Sequence, residues 1–195
     1  MKIAFFDFDG TITTDDSLLK FIRFVVGNFK FIQGLTVLSP VLFLYKLKVI
    51  PNYKAKQMML SYFFKGMSEK SFIEVAKKYS LEHIDSIVRE DAMKQIQWHH
   101  TNGHKVVVVS ASLECWLHPW CEKNGLELIG TRLEVLDGII TGRLLTKNCY
   151  GIEKVNRIKS QYNLEEYEYI YAYGDSRGDR EMLELAQKKA YKPFR

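Results

Sequence analysis

Three short runs interrupt an otherwise helical pattern of apolar positions along this chain. Ile3 to Phe6 is wholly apolar and ends in Asp7. Val106 to Val109 is β-branched throughout and follows Asn102-Gly103, a natural helix stop. Tyr169 to Tyr173 ends at Gly174-Asp175. Unbroken apolar runs of this length predict strands buried on both faces, as in a parallel sheet. Each run ends in a small or acidic polar residue. In open α/β sheets ligands sit beyond the carboxyl ends of the strands, so the three ends are expected to meet at one site.

Between these runs the spacing is helical. Phe72, Val75, Ala76, Tyr79, Ile84, Ile87, Val88 and Ala92 predict two helices across Ser71–Thr101, broken near Ser80. Glu114–Lys123 is predicted to follow a Ser112 cap, to kink at Pro119 and to stop at Asn124-Gly125. Ile152–Tyr162 and Gly178–Lys188 are two further predicted helices. Leu133-Glu134-Val135 and Ile139-Ile140-Thr141 flank Asp137-Gly138, which predicts a β-hairpin.

The spacing of the first two strands sets the domain organisation. A parallel crossover needs about a dozen residues, yet close to a hundred lie between Phe6 and Val106. The excess, residues 15–89, predicts a helical lobe inserted into a core formed by 1–14 and 90–195. The expected fold is therefore α/β, a doubly wound and mostly parallel sheet with a small inserted helical cap. Within the lobe, Phe31 to Tyr45 is uncharged and mostly apolar, between Lys30 and Lys46. It falls short of the roughly 20 residues a membrane span needs, and Gln33, Thr36, Ser39 and Pro40 interrupt it. A buried helix pair is the favoured reading, and an interfacial hairpin near anionic lipid is the alternative.

Composition narrows the picture a little. Of 195 residues, 47% are hydrophobic and 26% charged, which suits a globular chain and excludes a disordered one. The net charge of +5 suits an anionic substrate, a nucleic acid or an acidic membrane face without choosing among them. The basic residues are scattered and the aromatics are patterned as core, so nucleic acid is not expected as a partner. Cys115, Cys121 and Cys149 form no CxxC pair and are an odd number, which suits buried thiols in a reducing compartment. Met1–Phe6 runs into acidic residues without the length or cleavage site of a signal peptide. A cytoplasmic protein is expected, with peripheral membrane contact through 31–45 as the variant of that expectation.

The chemistry gathers at the strand ends. In extended chain Asp7 and Asp9 point to the same side, Phe8 turns away, and Gly10 permits a sharp turn. Paired carboxylates there can serve as nucleophile and general acid/base beside a divalent cation. A calcium loop fits poorly, because it would place Phe5 where the first acid belongs. Ser110 follows the second strand and can donate to a phosphate oxygen. Lys154 sits in the first turn of a predicted helix, a disfavoured end for a cation unless an anion is bound there. Asp175 and Asp179 lie four apart across a strand-to-helix turn, an arrangement suited to Mg²⁺.

Together, Asp7-Phe8-Asp9-Gly10-Thr11, Ser110, Lys154 and Gly174-Asp175-Ser176-Arg177-Gly178-Asp179 resemble, in order, the four motifs of the haloacid dehalogenase superfamily. The early insertion resembles the phosphoserine-phosphatase-like branch. The resemblance implies that Asp7 is the nucleophile and Asp9 the acid that protonates the leaving oxygen. It implies Mg²⁺ on the Asp7 carboxylate, the Asp9 backbone and Asp175, with Asp179 supporting them. Ser110 and Lys154 would bind the phosphoryl group, helped by Thr11 and the backbone at Gly10 and Ala111. Asp16 stands where phosphoserine phosphatases carry a glutamate for the substrate amine, and Ser110-Ala111-Ser112 stands in place of Ser-Gly-Gly. A small phosphomonoester of the phosphoserine type ranks first as substrate. A membrane lipid phosphate of the phosphatidylglycerophosphate type ranks second, and a phospho-ligand binding module without turnover is the reading outside enzymes.

Overall fold

The computed structural model describes residues 1–195. Five parallel strands form the central sheet: β1 (Lys2–Phe6), β2 (Lys105–Leu113), β3 (Glu127–Thr131), β6 (Tyr169–Gly174) and β7 (Lys188–Tyr191), in the order β3-β2-β1-β6-β7. Alternate residues of one strand feed two different cores. Ala4, Phe6, Val106, Val108, Tyr171 and Tyr173 face one side, while Ile3, Phe5, Val107, Val109, Ile170 and Ala172 face the other. This two-sided burial explains why the strands read as continuous apolar runs. Helices α5 (Glu90–Thr101) and α6 (Glu114–Lys123) cover the first face; α7 (Ile152–Gln161) and the short α8 (Arg180–Leu183) cover the second.

Between β1 and α5 the chain forms α1 (Ser17–Val37), α2 (Ser39–Lys46), α3 (Asn52–Phe64) and α4 (Glu69–Glu82). Phe21 of α1 sits in an aromatic cluster with Phe64, Phe72, Tyr79 and Trp116, with ring centroids 4.6 to 5.5 Å away. Trp116 belongs to α6, so this cluster joins the helical lobe to the sheet's covering layer. The outgoing and returning chains lie side by side: Thr14 N donates to Ile87 O and Arg89 N to Ile12 O, each at 2.8 Å. The hairpin of β4 (Leu133–Leu136) and β5 (Ile139–Leu144) turns at Asp137-Gly138, both with positive φ, as their side chains predict.

Four expectations are corrected. Phe31–Tyr45 is helical but not a buried pair: only Gly34 and Leu38 are buried there, and α2 buries none of its residues. The break expected near Ser80 falls instead at His83–Arg89, around a 3₁₀ turn at Ile84–Ile87. Asp85 anchors that turn by accepting from Trp120 Nε1 and Lys123 Nζ, each at 2.7 Å. The helix expected over Gly178–Lys188 ends at Leu183, and the chain becomes the edge strand β7. Leu113, not Ser112, precedes α6, because the Ser112 hydroxyl is committed to Asp9. Pro119 lies inside α6, which continues past it to Lys123. The edge strand β3 was absent from the sequence pattern.

Candidate active site

The end of β1 positions the first pair of acids. Asp7 N donates to Tyr173 O at 2.9 Å, completing the ladder between β1 and β6, and the chain then leaves the sheet in one loose turn over Phe8–Ile12. Phe8 is fully buried against Trp120, which leaves Asp7 and Asp9 on the opposite side of the chain. Gly10 makes the turn feasible. Its φ is +85°, and a Cβ there would stand 2.5 Å from Asp175 Oδ2. Thr11 Oγ1 donates to Asp7 Oδ2 at 3.1 Å.

Lys154 binds the pieces together. From the first turn of α7 its Nζ donates to Asp7 Oδ1 at 2.6 Å, to Asp179 Oδ1 at 2.7 Å and to Val109 O at 2.7 Å. All three ammonium protons are therefore engaged, and the side chain is only 1% exposed. Burial works against its charge, but Asp7 and Asp179 outweigh burial and hold the ammonium above its ordinary value. The other oxygen of Asp179 accepts from Asp175 N, Ser176 N and Ser176 Oγ. Burial opposes its charge too, yet Lys154 and Ser176 hold the carboxyl below its usual range. Asp7 has fewer partners, and burial pushes it up to about 7 despite Lys154.

Asp9 is oriented by the start of α1 and the end of β2. Its Oδ1 accepts from Ser17 N at 2.6 Å and its Oδ2 from Ser112 Oγ. Burial, and then the negative charge of Asp16, push it up to about 6. This suits a group that must give up a proton near neutral pH. Asp16 caps α1, with Oδ1 accepting from Leu19 N at 3.0 Å. A prediction follows from these two neighbours. Asp16→Asn preserves a capping residue while removing the like charge, so the pKa of Asp9 falls. The high-pH limb of a kcat/KM profile is expected to move to lower pH. A limb that stays in place excludes Asp9 as the titrating acid.

Asp7, Asp9, Asp16, Ser110, Ala111, Lys154 and Asp179 all face one cleft of about 310 Å³. Gly10, Thr11 and Asp175 do not line it. They stand behind its floor, where Thr11 holds Asp7 and Gly10 packs on Asp175. Asp7, Asp175 and Asp179 each bring a carboxylate oxygen within 4.8 Å of the others. With Asp9 and Asp16 the site gathers five carboxylates, met by three cations: Lys154, Lys56 of α3 and Arg195. This excess of negative charge, offered by hard oxygen donors, fits a divalent cation of the Mg²⁺ type. Arg195 also pairs with Asp175 Oδ2.

Sequence reasoning missed two contributors. Lys56 of α3 reaches into the cleft, its Nζ donating to Ala111 O at 2.8 Å and Asn148 Oδ1 at 3.1 Å, and burial lowers its pKa. In the sequence it is one of two lysines at the start of a helix, with no signal to set it apart from Lys54. Ser112 was read as a cap, although its position two residues beyond Ser110 in an extended strand places both hydroxyls near one site. Apart from Asn52, the rest of the helical wall is mostly apolar, contributed by Leu18, Leu19, Leu42, Tyr45, Ala55 and Met59. The three thiols play no part here: burial pushes Cys115 and Cys121 up to about 12 and Cys149 to about 11.

This geometry accords with what the chain is similar to. Residues 4–184 match the family model for haloacid dehalogenase-like hydrolases. The chain belongs to the haloacid dehalogenase-like hydrolase family, and its fold is that of the phosphoserine-phosphatase-like branch. It is 34% identical over 192 residues to protein CicA of Caulobacter vibrioides, covering 97% of this chain and 85% of that protein. A protein of unknown function from Bordetella pertussis Tohama I superposes with a TM-score of 0.82 at 21% identity, over 95% of this chain and 86% of that one. A phosphoserine phosphatase solved as an analogue of its phospho-aspartyl intermediate gives 0.67 at 21% identity, over 95% and 83%.

Proposed function

We propose that this enzyme is a magnesium-dependent phosphatase that passes the phosphoryl group of a small phosphomonoester through Asp7, with 15–89 acting as the cap over the site. The observation that carries the reading is the buried Asp7 carboxylate at the end of β1, held by Lys154 and Thr11 in the cleft that Asp9 also faces. An Asp7 oxygen attacks phosphorus, the ester P–O bond breaks, and the departing oxygen takes the proton of Asp9. The Asp9 carboxylate then takes a proton from water, the water oxygen bonds to phosphorus, and the Asp7–phosphorus bond breaks to release phosphate and restore the carboxylate. Ser110 donates to a phosphoryl oxygen, and Lys154 exchanges its contact with Asp7 for another as Asp7 bonds to phosphorus, where fixed charge and donors matter most. Asp7, Asp175 and Asp179 would hold the Mg²⁺, which when bound supplies positive charge that keeps Asp7 ionised and offsets that of the phosphate.

Lys56, Asp16 and Asn52 on the cap side of the cleft support an anionic or polar leaving group of modest size. The apolar wall of Leu18, Leu19, Leu42 and Met59 favours a second reading, a phosphate carried on a lipid. The deciding experiment is phosphate release with and without Mg²⁺ from phosphoserine, sugar phosphates, nucleotides, an aryl phosphate and phosphatidylglycerophosphate in mixed micelles. Mg²⁺-dependent release from any of them supports the chemistry, and the preferred substrate separates the two readings. Binding without turnover across the whole panel favours a ligand-binding module.

Metal binding has its own readout. Mg²⁺ is expected to raise the melting temperature, since at about 100 times its Kd a ligand of the native state contributes about 2.7 kcal/mol. Asp175→Asn removes one of three carboxylates and should abolish most of that shift. An unchanged shift in the variant places the cation elsewhere.

A further inference from the structure

The most unusual surface lies at the far end of the helical lobe. Gly27 (φ +77°) breaks α1, and residues 28–49 then carry Phe29 (81% exposed), Ile32 (63%), Phe43 (61%), Leu47 (57%) and Val49 (66%). Exposed single apolar residues are ordinary, but a succession of large ones on neighbouring helices is not. Helices α1 and α2 pack on each other and both lean on α3, so this surface belongs to a folded element. It is also strongly one-signed. Residues 17–68 contain eight basic residues, Lys20, Arg23, Lys30, Lys46, Lys48, Lys54, Lys56 and Lys65, and not one Asp or Glu. The remainder of the chain holds twenty basic and twenty-three acidic residues, so the whole positive balance of the protein resides here.

We propose that residues 28–49 are a docking surface for an anionic phospholipid bilayer. Protruding Phe, Ile, Leu and Val interleaved with Lys30, Lys46 and Lys48 have the make-up of a segment that lies in the interface, apolar groups entering the acyl boundary while lysines meet headgroup phosphates. No single helix is long and apolar enough to cross a membrane, and α1 and α2 are bent by 60° at their junction. The ten residues after Gly27 extend about 15 Å, half of a hydrocarbon core of about 30 Å, so the segment rests on one leaflet. Charge argues against the other simple occupant, a second copy of the same face, because two such surfaces repel. The cleft lies alongside: Leu42 and Tyr45 line it while Phe43 and Leu47 point to solvent, so docking sets the substrate entrance against the lipid.

The surface is separable from the chemistry at Asp7, and its test needs no turnover. The full chain is expected to co-sediment with phosphatidylcholine vesicles containing phosphatidylglycerol, to bind pure phosphatidylcholine far less, and to be released by salt. The triple variant Phe29→Ser/Phe43→Ser/Leu47→Ser removes exposed side chains outside the cleft and should lower partitioning about tenfold or more with an unchanged melting temperature. In the unaltered protein, anionic vesicles should slow amide hydrogen exchange selectively in 28–49. Absence of sedimentation with anionic vesicles, equal partitioning of the triple variant, or protection elsewhere in the chain would overturn the proposal. So would self-association that the triple variant abolishes in the absence of vesicle binding. Asp7→Asn protein should still bind vesicles, and unaltered protein that binds vesicles yet releases no phosphate from any substrate condemns the phosphatase reading alone.

Discussion

Asp7→Asn is expected to lower phosphate release by about 10³-fold or more, the scale seen when a covalent nucleophile is removed, while leaving the protein at least as stable. The second half of that expectation comes from burial. Asp7 is 7% exposed, and its carboxyl is pushed up to about 7 chiefly by lost solvation, with Asp179 adding repulsion. Without metal, ionising it near neutral pH costs more than Lys154 returns. A neutral amide of the same shape removes that cost: its Oδ1 can accept from Lys154 while its Nδ2 donates to the Thr11 hydroxyl, which turns to accept. The paired measurement is a Mg²⁺-dependent assay beside a metal-free urea titration at pH 7. Full activity in the variant would move the nucleophile elsewhere. Loss of activity accompanied by a large loss of stability would make Asp7 a structural group.

Lys154→Met is expected to do the opposite, damaging fold and activity together. Breaking a buried ion pair from one side costs about 3–5 kcal/mol. Here two carboxylates and the Val109 carbonyl lose their donor at once, at sites 1% and 10% exposed on the side chains of Asp179 and Asp7. The pH dependence has a definite sign. A carboxyl whose folded pKa lies above its unfolded value binds more protons in the folded state between the two, so stability falls as pH rises through that interval. For Asp7 the interval runs from the ordinary 3.8 to about 7, and loss of Lys154 extends it upward. The variant's deficit in metal-free urea unfolding should therefore shrink as pH is lowered from 8 to 5. A deficit independent of pH would mean that packing of the lysine stem, rather than its charge, is what the fold requires.

The site was legible because its residues sit at the ends of strands that are apolar on both faces. β1, β2 and β6 are the three central strands, and each announces itself without help from its neighbours. The edge strands lack this property. β7 reads Lys-Lys-Ala-Tyr, with one edge and most of its side chains in solvent, and so merges with the helix pattern before it. β3 is five residues with a glycine in them. The exposure of α2 was illegible for a different reason. An apolar run records that its side chains avoid water, but whether protein covers them depends on what packs alongside, and here only α3 and the end of α1 do. Lys56 depends on the same missing information, since only the folded lobe carries α3 over Ala111.

The β4–β5 hairpin bears on how the helical lobe can move. Its strands follow β3 in the chain, yet its backbone is sewn to the turn between α3 and α4: Gly66 N to Ile140 O at 3.0 Å, Ile140 N to Met67 O at 2.9 Å and Glu69 N to Gly138 O at 2.8 Å. The two chain crossings at Thr13 and Val88 are adjacent and by themselves would form a single hinge axis. The hairpin adds a strut on the far side of the cleft, anchored in the sheet through β3. With two crossings, the strut and the packing of Phe21 on Trp116, a swing about the hinge must part the aromatic cluster and either tear three backbone hydrogen bonds or carry the hairpin with it. The strut's own ends, Arg132 and Leu145, are tied to each other at 2.8 Å, so any movement of the lobe is braced from residues far from it in sequence.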